Sequence, residues 1–140
     1  MPNLDREVLA ERVAAVERHL ARVAQRLPAR ADDLRPATDA SDVVVLHLWQ
    51  AVQVVIDVAL ALCVQMNLGT PSTYADAFKR LADANHLESD LAGRLTKAAG
   101  FRNLVAHAYD RLDMARVYEA GQRRPVDLRA FLRRTVELVG

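Results

Sequence analysis

Apolar residues recur along most of this chain at steps of three and four, the spacing of one helix face. Leu9, Val13, Val16, Leu20, Val23 and Leu27 form the first such stripe, with Glu and Arg between them. They predict a helix over residues 4–27, ended by Pro28. The polar segment "PARADDLRPATDA" then reads as a loop. A second helix is expected from Ser41 or Asp42, either able to cap it, to about Asn67, with Gly69 as the stop. It is apolar nearly all round, from Val43 through Leu48, Trp49, Val55 and Ile56 to Val64. Such a helix must be covered on more than one side, and a second protomer is the economical cover. Ser72 or Thr73 can cap a short third helix with Tyr74, Phe78 and Leu81 on its apolar side. A further helix is predicted over residues 89–109. A short element, "DMARVYEA", follows, and Pro125 starts a last helix with Val126, Leu128, Phe131, Leu132, Thr135 and Leu138 inward. The sum is an all-α chain, an up-and-down four-helix bundle with short additional helices, in a single domain over residues 1–140.

Composition supports helix over strand. Aromatic residues are 5% of the chain, and there are five Gly and five Pro. Net charge is +1, so the chain is not a polycation, but the balance shifts along it. Residues 1–40 carry seven Arg against seven acids, and residues 111–140 carry seven Arg against four acids. The mildly basic tail can touch phosphates or can be a solvated helix face. Cys63 is the only cysteine, which excludes an intrachain disulfide and a cysteine-based zinc site. The N-terminal residues alternate in charge, unlike a secretion signal. The run 43–64 has membrane-like hydropathy, but His47, Gln50, Gln53 and Asp57 interrupt it. No membrane span and a cytoplasmic location are therefore expected.

Against this plain helical background one stretch departs: "AAGFRNLVAHAYDRLD", residues 98–113. Leu91, Leu95, Ala98, Arg102, Val105, Tyr109 and Leu112 step by four and three, so Arg102 occupies a core-facing position. Arginine is rarely buried unpaired. Asn103 and His107 are four apart, and an Asn amide there can hold one imidazole nitrogen. Arg102 and His107 are five apart, about 140° around an ideal helix. Either the Arg wraps round, or the helix distorts near residues 106–109, or a facing protomer completes the site; the last two are favoured together. Asp57, in an apolar helix, needs a partner, and Gln50 and Gln53 share its line. An Arg beside a His suits phosphoryl chemistry: the cation binds phosphate and the imidazole moves a proton. The same residues also serve as structural groups, for example a salt bridge to Asp57.

The segment "RNLVAHAY" has the form Arg-x4-His-x-Tyr, and with "PSTYADAF", the long apolar second helix and the Asp after the motif it resembles the HepT branch of the HEPN superfamily. Residues 42–120 carry the resemblance, with 1–27 and 125–139 as flanking helices. It implies an all-α toxin of a toxin–antitoxin pair. It further implies a metal-independent endoribonuclease without cofactor, acting on RNA as a homodimer whose motif helices meet at a cleft. On this resemblance Arg102 holds the scissile phosphate and His107 is the general acid or base. Asn103 stands beside His107, and Asp57 is expected near Arg102 or His107, from the same or the facing protomer. Tyr109 matches the tyrosine to which a cognate minimal nucleotidyltransferase antitoxin adds AMP, which would plug the anion site and repel RNA. Ala108 departs from the acidic residue or Gly usual there. A basic groove is expected from the dimer, through Arg111, Arg116, Arg123 and Arg124.

Two other readings share these residues: a non-catalytic HEPN module that docks on a nucleotidyltransferase, and a helical dimerisation domain with a structural polar cluster. The intact Arg102, Asn103 and His107 set speaks for the nuclease.

Overall fold

The computed structural model describes residues 3–140. Five α-helices account for most of it: α1 Arg6–Arg26, α2 Asp39–Gln65, α3 Tyr74–Asp83, α4 Ser89–Ala108 and α5 Met114–Val139. Two 3₁₀ turns, Ala31–Asp33 and Tyr109–Arg111, sit in the connections. No strand occurs among the described residues.

Local chemistry sets the helix ends. Asp5 caps α1, its carboxylate accepting from the Val8 amide at 2.8 Å. Leu4 lies just outside the helix but is buried. It is clamped to the end of α2: its amide donates to Gln65 Oε1 at 2.8 Å, and Gln65 Nε2 donates back to its carbonyl at 3.3 Å. Helix α2 starts earlier than expected. Thr38 is the N-cap, and Ser41 is its reciprocal partner three residues on, in a capping box. It ends at Gln65, because Asn67 takes the left-handed conformation at φ 61° and the Leu68 amide closes on the Cys63 carbonyl at 2.8 Å. Gly69, at φ 84°, belongs to the loop beyond. Thr73, one of the two expected caps, starts α3.

Helix α2 is the axis of the bundle and packs on all four other helices. Its Val44, Val45, Leu48, Val52, Val55, Ile56, Val58 and Leu62 are buried. It is long and apolar enough to span a membrane by length and composition alone, yet half of its most apolar stretch lies inside the bundle. Even so, Leu46 stays 48% exposed and Val64 46% exposed. The core continues through Val16, Leu20 and Val23 of α1, Leu81 of α3 and Leu95 of α4. Phe78 and Phe131 meet edge to face at 5.7 Å between centroids.

The C-terminal region departs from expectation. "DMARVYEA" and the Pro125 segment form one helix, α5, with Pro125 inside it. An internal proline costs about 3 kcal/mol. That cost is outweighed because both flanks are buried: Val117, Tyr118 and Gly121 before it, Leu128, Phe131 and Leu132 after it. Gly121 lets the helix approach α1, where an added Cβ would lie 3.0 Å from Leu27. In this register Val126 points outward, 67% exposed, whereas Leu128, Phe131, Leu132 and Thr135 are buried as expected.

Candidate active site

The core stripe of α4 holds for Leu91, Leu95, Ala98 and Val105. It breaks at its polar members. Arg102 is half-buried, and its guanidinium carbon lies over two rings, 5.4 Å from the Trp49 centroid and 5.5 Å from the Tyr74 centroid. An aromatic face attracts a planar cation. Its Nε donates to Gln53 Oε1 at 2.7 Å, and its Nη1 reaches Asn103 Oδ1 at 3.4 Å. Gln53 in turn donates from Nε2 to Asp57 Oδ1 at 2.9 Å. Trp49, Gln53 and Asp57 step by four along α2, so one line of that helix builds the support.

Within a single chain, Asp57, Gln50 and Asn103 make no hydrogen bond to His107 among the described residues. Asp57 is not a buried carboxylate and forms no ion pair with Arg102 or His107 among the described residues. It lies on the surface and reaches Arg102 through the Gln53 amide, because glutamine spans the gap between the two helices. Gln50 has no hydrogen bond to this cluster among the described residues. Asn103 does not hold the imidazole; its carbonyl oxygen turns to the neighbouring guanidinium, where the hydrogen bond is charge-assisted.

His107 is exposed and has no hydrogen-bond partner among the described residues. Helix α4 does distort where expected, at Ala108, with φ −146° and ψ 38°. The break falls after His107, so it redirects Tyr109 and leaves Arg102 and His107 on different faces of one helix. Tyr109 is 50% exposed instead of core-facing. Its hydroxyl donates to Asp42 Oδ1 at 2.9 Å, at the start of α2. Partial burial, this hydrogen bond and the carboxylate charge together hold the phenol above its ordinary pKa.

Sequence reasoning missed Trp49, Tyr74 and Asp42 as members of the site. Trp49 had a signal: it stands four residues before Gln53 on the same line as Asp57. Tyr74 had none, since it was indistinguishable from the other apolar residues of α3. No group of three or more His, Cys, Asp or Glu side chains gathers as a metal site among the described residues.

The fold and the motif have relatives. The chain is 26% identical to the mRNA nuclease HepT of Shewanella oneidensis over 126 residues, 90% of this chain and 94% of that protein. A crystal structure of a toxin–antitoxin complex with AMP-PNP superposes with a TM-score of 0.84 at 25% identity, covering 93% of this chain and 98% of that one. A tri-AMPylated HEPN toxin from S. oneidensis in complex with its MNT antitoxin superposes with a TM-score of 0.81 at 26% identity, covering 91% and 95% of the two chains. The family model described as "Ribonuclease HepT-like" matches residues 14–135, most of the chain. With a motif helix set against α2 in an all-α bundle, the chain belongs to the HepT-like ribonuclease family.

Proposed function

We propose that this chain is the toxin of a toxin–antitoxin pair, an endoribonuclease restrained by a minimal nucleotidyltransferase that adds AMP to Tyr109. The observation that carries the nuclease reading is the fixed guanidinium of Arg102. Gln53 holds its Nε, the Trp49 and Tyr74 rings lie beside it, and its Nη2 has no hydrogen-bond partner among the described residues. A fixed, half-buried cation costs little reorganisation when negative charge develops on a phosphate.

The chemistry follows from the two groups. His107 takes the proton from the ribose 2′-hydroxyl, and the oxygen attacks the adjacent phosphorus. Arg102 stabilises the charge on the phosphorane oxygens. The bond to the 5′-oxygen breaks, that oxygen takes the proton held by the His107 imidazolium, and a 2′,3′-cyclic phosphate and a 5′-hydroxyl remain. No metal enters this route. Since Arg102 and His107 lie on different faces of one helix, a homodimer supplies them to a common cleft, Arg102 from one protomer and His107 from its partner. The half-exposed Leu46 and Val64 on the apolar axis helix favour such a pairing. Asp57 and Asn103 support Arg102, the first through Gln53.

Tyr109 stands exposed at the mouth of the motif helix with a carboxylate on its hydroxyl, a position an antitoxin can reach. AMP groups there would add anionic phosphates to the end of the helix that carries Arg102 and His107. The protein acts as a single HEPN domain in the cytoplasm, with half of the most apolar stretch of α2 buried in the bundle.

The alternative, a non-catalytic module that binds a nucleotidyltransferase, is favoured by one feature: a single chain leaves His107 unpartnered. Cleavage of an unstructured RNA in the presence of a chelator separates the two. The nuclease reading expects cyclic-phosphate ends from the parent and loss of cleavage in Arg102→Ala and His107→Ala. An intact RNA under all conditions, with nucleotidyltransferase binding retained, would leave only the module.

A further inference from the structure

The face of α4 that carries His107 also carries Gly100 and Leu104, at steps of four and three. These two line a groove of about 690 Å³ between α4 and α5, together with Lys97, Phe101 and Arg116. Its floor is apolar: Phe101 is half-buried and Leu104 is 37% exposed. Its rim is cationic. Lys97 and Arg116 are exposed and have no carboxylate within salt-bridge distance among the described residues. Arg124 at the base is already committed, its Nη1 donating to the Arg94 carbonyl at 2.9 Å and its Nε 3.5 Å from Asp127. The one carboxylate on this rim, Glu119, has Arg123 at 3.8 Å. By contrast, in the groove beside the α3–α4 turn, Arg94 and Arg134 are both held, by Asp127 and by Glu137 with the His86 carbonyl.

An apolar floor with an aromatic ring and two uncommitted cations is the pattern that takes a nucleotide: the base lies on the ring, and the cations take the phosphates. We propose that this groove is a substrate subsite, seating one nucleotide of single-stranded RNA beside the scissile linkage, with Lys97 and Arg116 holding the flanking phosphates. It rests on the nuclease reading above, and it lies within a single protomer. Lys97 lies outside the arginine set expected from the sequence. Gly100 keeps the groove open: an added Cβ there meets nothing within 4 Å. A larger side chain therefore fills space that belongs to the ligand and not to the protein.

The test uses the parent chain and a 2′-O-methyl RNA oligonucleotide, which lacks the attacking hydroxyl and stays intact, with cleavage of unmodified RNA followed in parallel. The double variant Lys97→Ala/Arg116→Ala is expected to flatten the dependence of log affinity on log salt by about 1.4, roughly 0.7 for each phosphate no longer neutralised. Gly100→Leu is expected to weaken binding about tenfold, the scale of one base stack. It should keep or raise Tm, because leucine favours helix over glycine. Arg133→Ala, on α5 at the other groove, should change neither affinity nor slope. If the parent binds and cuts RNA but the groove variants match it in slope and affinity, the subsite is overturned and the nuclease reading stands. If Gly100→Leu spares RNA but abolishes association with a nucleotidyltransferase partner, the groove is a protein-docking face and the RNA assignment is overturned. A parent that neither binds nor cuts RNA overturns both.

Discussion

Arg102 and Gln53 are joined across two helices by a 2.7 Å hydrogen bond from the guanidinium Nε to the amide oxygen, and the same amide donates to Asp57. The glutamine is thus polarised from both ends. It accepts from a cation and donates to an anion without neutralising the cation itself. A carboxylate at that position would pair with Arg102 and compete with phosphate. Gln53→Glu is therefore expected to cut RNA cleavage more deeply than Gln53→Ala. The alanine variant should lose about 1.5–3 kcal/mol of transition-state stabilisation, the scale of one hydrogen bond to a charged group. Comparing kcat/KM for the two variants checks the order.

The two rings beside Arg102 favour a planar cation. Arg102→Lys keeps the charge but loses the stack and the Nε donor. It is expected to fold with an unchanged Tm to within a few degrees and yet lose most cleavage. Thermal unfolding and a cleavage assay on one preparation decide this. A lysine variant with near-parental activity would show that the rings are only packing.

Asp42 bears on the proposed modification of Tyr109. A hydroxyl that attacks the α-phosphate of ATP must give up its proton, and Asp42 is the acceptor at hand, 2.9 Å away. Tyr109→Phe should show no added AMP by intact mass when incubated with its nucleotidyltransferase and ATP, and Asp42→Asn should be modified more slowly. The same hydrogen bond raises the phenol pKa. A group with a raised folded pKa stabilises the fold below its ordinary value, near 10, and that contribution is lost as pH rises through the folded value. Asp42→Asn should lower the pH at which the phenolate absorbance appears.

Away from the site, His19 and His47 face one another between α1 and α2, with Nδ1 atoms 3.0 Å apart. One ring must be neutral to accept from the other. Burial lowers both pKa values, and for His19 the His47 and Arg18 charges add to it. The unfolded chain then binds more protons than the fold over this range, so stability rises with pH. The contribution is complete above about 6.5 and is lost as pH falls through the lowered folded values. Tm should drop between pH 7.5 and pH 5, and His19→Gln should flatten that drop. An equal drop in both proteins would assign it elsewhere.

Periodicity located most of the helices, because most members of each stripe are buried in the bundle, Val126 and Tyr109 being exceptions. It failed where tertiary packing opposed a local rule. Pro125 reads as a helix start, but burial on both sides of it carries α5 straight through. Ser41 reads as a cap, but Thr38 and Ser41 together make the cap one turn earlier. Arg102, Asn103, His107 and Tyr109 were legible as a group through the motif and its resemblance. Their partners were less so, since which side chains meet between α2, α3 and α4 depends on helix placement. Hence Asp57 is expected near Arg102 or His107 of either protomer, and within one chain a glutamine makes the link to Arg102. Lys97 and Arg116 become a pair only once α4 and α5 are side by side.

The central claim is that Arg102 of one protomer and His107 of its partner act on one phosphate. Mixing Arg102→Ala chains with His107→Ala chains, each inactive alone, and allowing exchange tests it directly. Half of the resulting dimers would be mixed, and each would hold one complete site of two, so cleavage should return to about a quarter of the parental rate. Mixed dimers that form but stay inactive would rule out this pairing across protomers, because both groups would then have to come from the same chain.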